Sequence, residues 1–105
     1  MTEERHPTAE LDETVHQRVR LGVLAVLREA DRATFTYLRE TLGVTDGNLS
    51  RHLAVLVDAG LAELDKGYEG NRPRTWVRAT AAGRATFEAE LRSLRRLLER
   101  LDSAE

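Results

Sequence analysis

Leu49, Leu53 and Leu56 recur at spacings of four and three, and Gly60 extends the same face just before Leu61. That spacing predicts an amphipathic helix over about residues 46–59. Thr45 or Asp46 is placed to cap its start, and Gly60 to stop it. The opposite face opens with Gly47, Asn48 and Arg51, so the small and hydrogen-bonding residues gather at the N-terminal end. Just upstream, "TYLRETLG" reads as a short helix with Thr36 as N-cap. Gly43 suits the left-handed position after its last turn. Val44 and Thr45 then form the turn. Two short helices joined by a tight, glycine-containing turn predict a helix-turn-helix.

The flanking patterns complete the outline. A helix is expected over about residues 10–30, with Leu11, Val15, Val19 and Val26 near one face. Within it "LGVLAVL" is apolar all round, a pattern that calls for burial on every side, the second side coming from another chain. "DRATF" breaks this helix, and Thr34 and Phe35 read as a very short strand. "LAELDK" and "RTWVRA" read as two strands, and "GYEGNRP" between them as a mobile hairpin tip. Thr80 caps a last helix over about 81–101, whose Phe87, Leu91, Leu94, Leu98 and Leu101 form a heptad seam. The expected fold is mainly α within an α+β winged helix-turn-helix. It has a three-helix core, a two-stranded wing and a long C-terminal dimerisation helix. Residues 1–9 are expected to be a flexible acidic stretch, and 10–105 a single domain.

Composition adjusts this picture in three ways. With 105 residues, 41% of them hydrophobic, the chain has core enough for one domain of modest burial. It has no cysteine, which removes disulfides, zinc–thiolate sites and thiol chemistry. No apolar run spans a membrane and the N-terminus does not read as a secretion signal, so a cytoplasmic location is expected. The net charge of −2 does not announce a nucleic-acid ligand, but the charges are uneven. Residues 1–14 carry Glu3, Glu4, Glu10, Asp12 and Glu13 against Arg5 alone, whereas residues 66–78 carry Lys66, Arg72, Arg74 and Arg78 against Glu69 alone.

The helix after the turn has the composition of a recognition helix, whose first turns meet base edges in the major groove. Gly47 permits close approach. Asn48 suits adenine or a phosphate, and Arg51 a bidentate contact with guanine. Thr45 and Ser50 suit phosphate oxygens at the helix start. In the hairpin, Arg72 and Arg74 flank Pro73 and reach toward a minor groove or the backbone, with Lys66 and Arg78 adding phosphate contacts. Trp76 reads as a hairpin brace, and Tyr68 as an exposed tip residue. His6, His16 and His52 have no metal-ligand spacing, and His52 is expected to be partly buried or on a phosphate. No G-x-S-x-G, phosphate-cradling loop or H-E-x-x-H is present, so neither catalysis nor a cofactor is expected.

Taken together, "FTYLRETLGVTDGNLSRHLAVLVDAGLAEL" and "KGYEGNRPRTWVRATAAGR" resemble the compact winged-helix transcriptional regulators of the MarR/ArsR type. The resemblance covers about residues 15–100. It lies closest to a short subgroup with an "L-T-x-G-N-L-S-x-H-L" helix, Val44 standing here for the first leucine. It implies a dimeric bacterial or archaeal DNA-binding regulator. Recognition then falls to Asn48, Ser50, Arg51 and His52, the wing role to Arg72, Pro73 and Arg74, and dimerisation to the first and last helices. The interface expected on those helices comprises Leu11, Val15, Val19, Val23, Phe87, Leu91, Leu94, Leu98 and Leu101. The chain lacks the extra helices that line the effector pocket of larger MarR proteins, and the cysteines of metal-sensing ArsR proteins. The expected function is a homodimeric, sequence-specific repressor on double-stranded DNA. The alternatives are a regulator with a small-molecule pocket at the dimer interface, and a winged helix used for protein interaction.

Overall fold

A computed structural model describes residues 6–103. Four helices, α1 (Arg18–Glu29), α2 (Phe35–Leu42), α3 (Asp46–Asp58) and α4 (Ala81–Asp102), surround a sheet of β1 (Ala33–Thr34), β2 (Ala62–Glu69) and β3 (Arg72–Ala79). The sheet is antiparallel in the order β1-β3-β2, with Val77 paired to both Ala33 and Leu64. A 3-10 turn at Pro7–Glu10 precedes α1.

Local chemistry accounts for the boundaries. The Thr45 hydroxyl accepts from the Asn48 N–H at 3.1 Å, and the Thr80 hydroxyl from the Gly83 N–H at 2.9 Å. Gly43 takes φ +65 after α2 and Gly60 φ +76 after α3, where a side chain would be strained. Leu24, Leu27, Leu38, Leu49, Leu53, Leu56 and Val77 close the core, each at most 2% exposed. It is aliphatic, with Phe87 as its aromatic member.

Five expectations are revised. The first helix begins at Arg18, not near residue 10, because Gln17 caps it and accepts from the N–H groups of Val19 and Arg20 at 2.9 Å. Residues 11–17 instead run along α4, held by side-chain contacts. The N-cap of α2 is Thr34, whose hydroxyl accepts from the Tyr37 N–H at 3.0 Å, so Thr36 lies inside the helix. The ladder continues to Glu69 and Arg72, leaving only Gly70 and Asn71 as the turn. Gly70 takes φ +62, the sign that a two-residue hairpin loop of type II′ requires at its first position.

The fourth revision concerns the apolar faces. Val15, Val19, Val23 and Phe87 lie in the core of a single chain, at 0%, 2%, 0% and 5% exposure. They have no surface left for a partner, so their place in the expected dimer interface is withdrawn. "LGVLAVL" needs no second chain either, because Ala25 faces solvent while Val23, Leu24 and Leu27 are buried. In α4 the residues that turn inward are Gly83, Phe87, Glu90 and Ser93. Leu11, Leu91 and Leu94 are half-buried, and Leu98 and Leu101 remain 60% and 61% exposed. Pro7–Glu10 is also tied down, Glu10 pairing with Arg96, so of the expected loose stretch residues 1–5 lie outside the described residues.

Candidate nucleic-acid interface

α3 buries Leu49, Leu53 and Leu56 and turns the other side outward. Gly47, Ser50 and Arg51 are exposed and Asn48 is half-buried. A Cβ built on Gly47 meets nothing within 4 Å, and its φ is not positive, so the fold itself does not require glycine there. Arg51 makes no ion pair among the described residues. Asp46, the acid at the helix start, is held by Arg39 Nη1 at 2.7 Å. That hydrogen bond and the carboxylate charge push the Arg39 guanidinium above its ordinary value. The pair joins the two helices of the helix-turn-helix and offsets the one carboxylate in the first turn of α3.

Thr45 is an N-cap first, since its oxygen already serves the Asn48 N–H. His52 takes the partly buried of its two expected placements. Its Nδ1 accepts from Arg20 Nη1 at 2.9 Å, and the ring is half-buried against α1. Burial first, then the charges of Arg20, Arg51 and Arg18, hold this imidazole below its ordinary value of 6.5. Arg20 also donates from Nε to the Thr14 carbonyl at 2.6 Å and from Nη2 to the Glu13 carbonyl at 3.5 Å. It therefore fastens the 11–17 segment to α3. On the far side of that segment the fully buried Glu90 carboxylate accepts from the Asp12 N–H at 2.9 Å and pairs with His16 Nδ1 at 2.6 Å.

The strand register sorts the hairpin residues between two faces, since alternate side chains point to opposite sides. Lys66, Tyr68, Pro73 and Thr75 share one face; Glu69, Arg72, Arg74 and Trp76 share the other. Lys66 and Ser50 line a groove of about 510 Å³ between α3 and the hairpin, floored by Phe35, Leu53 and Leu64. Arg72 and Pro73 are exposed at the tip. Arg74 is half-buried and pairs with Glu69 at 3.1 Å, and Arg78 pairs with Asp65 at 3.5 Å. The basic segment read from the sequence thus reduces to Lys66 and Arg72 as cations without an ion pair among the described residues. Trp76 braces the wing as expected. Its Nε1–H donates to the Tyr68 carbonyl at 3.3 Å, the Arg32 guanidinium lies 3.8 Å over the ring, and its Cδ1 faces Gly67.

Sequence reasoning missed Arg20, Arg39 and Glu90. Arg39–Asp46 spans seven residues across a turn, a separation a search for such pairs would reach. Glu90 lies 74 residues from His16, and nothing in the local pattern marks it. Between α1 and α4 lies an apolar hollow of about 110 Å³ lined by Leu24, Ala79, Gly83 and Phe87. It is smaller than the usual small-molecule site. Among the described residues no helix is long and apolar enough to cross a membrane, and no three acidic or histidine side chains group to hold a metal.

Comparison with known proteins agrees with this geometry. The model of the winged helix DNA-binding domain matches residues 19–98. The chain is 39% identical over 70 residues to the uncharacterized protein MJ0432 of Methanocaldococcus jannaschii, a match covering 67% of this chain and 76% of that one. Its fold is similar to the transcriptional regulator homologue protein from Pyrococcus horikoshii, with a TM-score of 0.80, 33% identity and coverage of 87% and 90% of the two chains. It is also similar to the transcriptional repressor CouR, solved on a 23-mer DNA duplex, with a TM-score of 0.73, 25% identity and coverage of 93% and 67%. A MarR-family regulator from Silicibacter pomeroyi shares the fold at a TM-score of 0.66 and 23% identity, over 94% and 66% of the two chains. The family is one of DNA-binding regulators rather than enzymes. With four helices packed around a winged three-stranded sheet and a match over most of its length, this chain belongs to the winged helix DNA-binding domain family and has the MarR-like fold.

Proposed function

We propose that this transcription regulator acts as a homodimeric, sequence-specific repressor that occludes its operator. The observation that carries the base-reading part is the first two turns of α3. They present Gly47, Asn48, Ser50 and Arg51 outward, with the single acid there already paired. Gly47 is the sharpest sign, because its missing side chain serves no need of the fold. In this reading Arg51 reads a base edge, Asn48 and Ser50 read or position, and Thr45 stays a cap. Lys66, Arg72, Pro73 and Arg74 belong to the wing, with Arg72 as the residue that reaches the duplex and Arg74 steadied by Glu69. His52, bound to Arg20, serves in this reading as a link to α1.

The dimer rests on the end of α4. Leu98 and Leu101 are apolar and wet, and the half-buried Leu91, Leu94 and Leu97 continue the stripe inward. A second copy of the same stripe is the self-complementary partner that a two-fold axis supplies. Leu11, half-buried beside α4, lies at its margin. Action in the cytoplasm follows from the DNA partner in this reading. Selection of bound duplexes from a random pool tests it, and an enriched imperfect palindrome is the expected result. Recovery of no enriched sequence at low salt would contradict it.

A further inference from the structure

Five of the described arginines, Arg28, Arg39, Arg74, Arg78 and Arg96, are paired with carboxylates. Arg20, which binds the His52 ring, and Arg18 and Arg51, whose charges act on it, are not. Arg20 spends its donors on two backbone carbonyls and on the His52 ring, all of them neutral acceptors. Glu13 offers it a carbonyl, not its carboxylate. Arg18 Nη1 donates to the carbonyl of Leu42, the last residue of α2, at 3.3 Å. It therefore sits at the mouth of the helix-turn-helix, and its charge acts on the same imidazole. Arg51 follows from α3 itself. Asp46, the acid nearest to them along α3, is already held by Arg39.

None of the three pairs with a carboxylate among the described residues, so their positive charge is left for an anion to neutralise. Arg18 and Arg51 are exposed, so the cluster opens to solvent on the side where α3 begins. We propose that Arg18 and Arg20 of α1, with Arg51 of α3, form a site for a backbone phosphate of duplex DNA, carrying the contact surface from the helix-turn-helix onto α1. This rests on the DNA-binding reading above and adds to it residues outside the recognition helix and wing. A phosphate oxygen takes two guanidinium donors at once, a geometry that a lone lysine would not offer. Arg51 then joins the reading of bases to the phosphate beside them. Arg20 orients the cluster as well, because its remaining donors bind the 11–17 segment.

The test is the salt dependence of duplex affinity for Arg18→Gln, with the double variant Arg18→Gln and Arg20→Lys beside it. Arg92→Gln, on an exposed site of α4 without an ion pair among the described residues, is the control. Far-ultraviolet circular dichroism and Tm check that each variant folds. Arg18 donates only one bond to the protein, so its variant keeps the fold. Each lost phosphate contact should lower the slope of log affinity against log salt by about one, equally on selected and random duplexes. The control should keep the wild-type slope. A wild-type slope in both the single and the double variant overturns the phosphate site while leaving DNA binding intact. A loss confined to the selected sequence also overturns it, because it would make Arg18 a base reader. A wild-type protein that binds no duplex at low salt overturns both this site and the DNA-binding reading.

Discussion

At the scale of single residues, Gly47 separates function from fold. Replacing a helical glycine by alanine removes backbone freedom from the unfolded chain, and here the new methyl meets nothing in the protein. Gly47→Ala is therefore expected to stabilise the fold by about 0.5–1 kcal/mol in chemical denaturation. The same variant should weaken binding to the selected duplex. Unchanged affinity would remove α3's first turn from the groove. Arg51→Ala should cost about 1–3 kcal/mol on the preferred site and relax the preference at one base position. An equal loss on random DNA would assign Arg51 to the backbone alone. His52 supplies a pH dependence. Its folded state favours the neutral ring, so its contribution to stability is complete above the unfolded value near 6.5 and is lost as pH falls through the lowered folded value. Wild type should accordingly lose stability relative to His52→Gln as pH drops from 7.5 to 5. A constant difference between the two across that range would contradict the neutral, Arg20-bound ring.

The elements show how far local pattern reaches. The helix-turn-helix was legible because its leucine spacing, its threonine cap and the glycine at φ +65 all lie within a few residues of one another. The wing was legible in kind but not in length. "GYEGNRP" is rich in turn formers, yet its ladder persists through Tyr68 paired with Pro73. β3 is central only at Val77 and Trp76, where β1 pairs with it. At Pro73 the strand has a neighbour on one side only, so a missing N–H can face outward without weakening the sheet. The first helix was read about eight residues too long at its start because Leu11, Val15 and Val19 happen to keep helical spacing. Long-range contacts decided that segment instead: Glu90 and Arg20 hold residues 12–16 from α4 and α1. At the other end of the fold, Gly83 admits the Leu61 backbone. A Cβ there would lie 2.0 Å from the Leu61 oxygen. Gly83→Ala should therefore destabilise by about 1–3 kcal/mol despite its better helix propensity, read as a lower denaturation midpoint. A midpoint at or above that of wild type would show that α4 slides freely on β2.

On the scale of the whole molecule, a single chain already closes its own core, so the second copy proposed above would meet what is left. The heptad seam read from the sequence divides: Phe87 turns into the core, whereas Leu98 and Leu101 stay in solvent. Periodicity alone cannot tell a seam facing another chain from one facing α1, because both demand the same spacing. Leu98→Glu is therefore expected to give a folded monomer in sedimentation, with most of its Tm retained. A variant that stays dimeric would move the interface elsewhere. Two recognition helices related by a two-fold axis place half-sites about 10 base pairs apart, or a multiple of that. The binding of duplex DNA by the α3 and wing face is tested most directly by the affinity for a selected duplex between 50 and 200 mM salt. With about 6–10 phosphates engaged by a dimer, affinity should fall by about 10³–10⁵ across that range. Affinity that does not change with salt, or no binding at 50 mM, would contradict it.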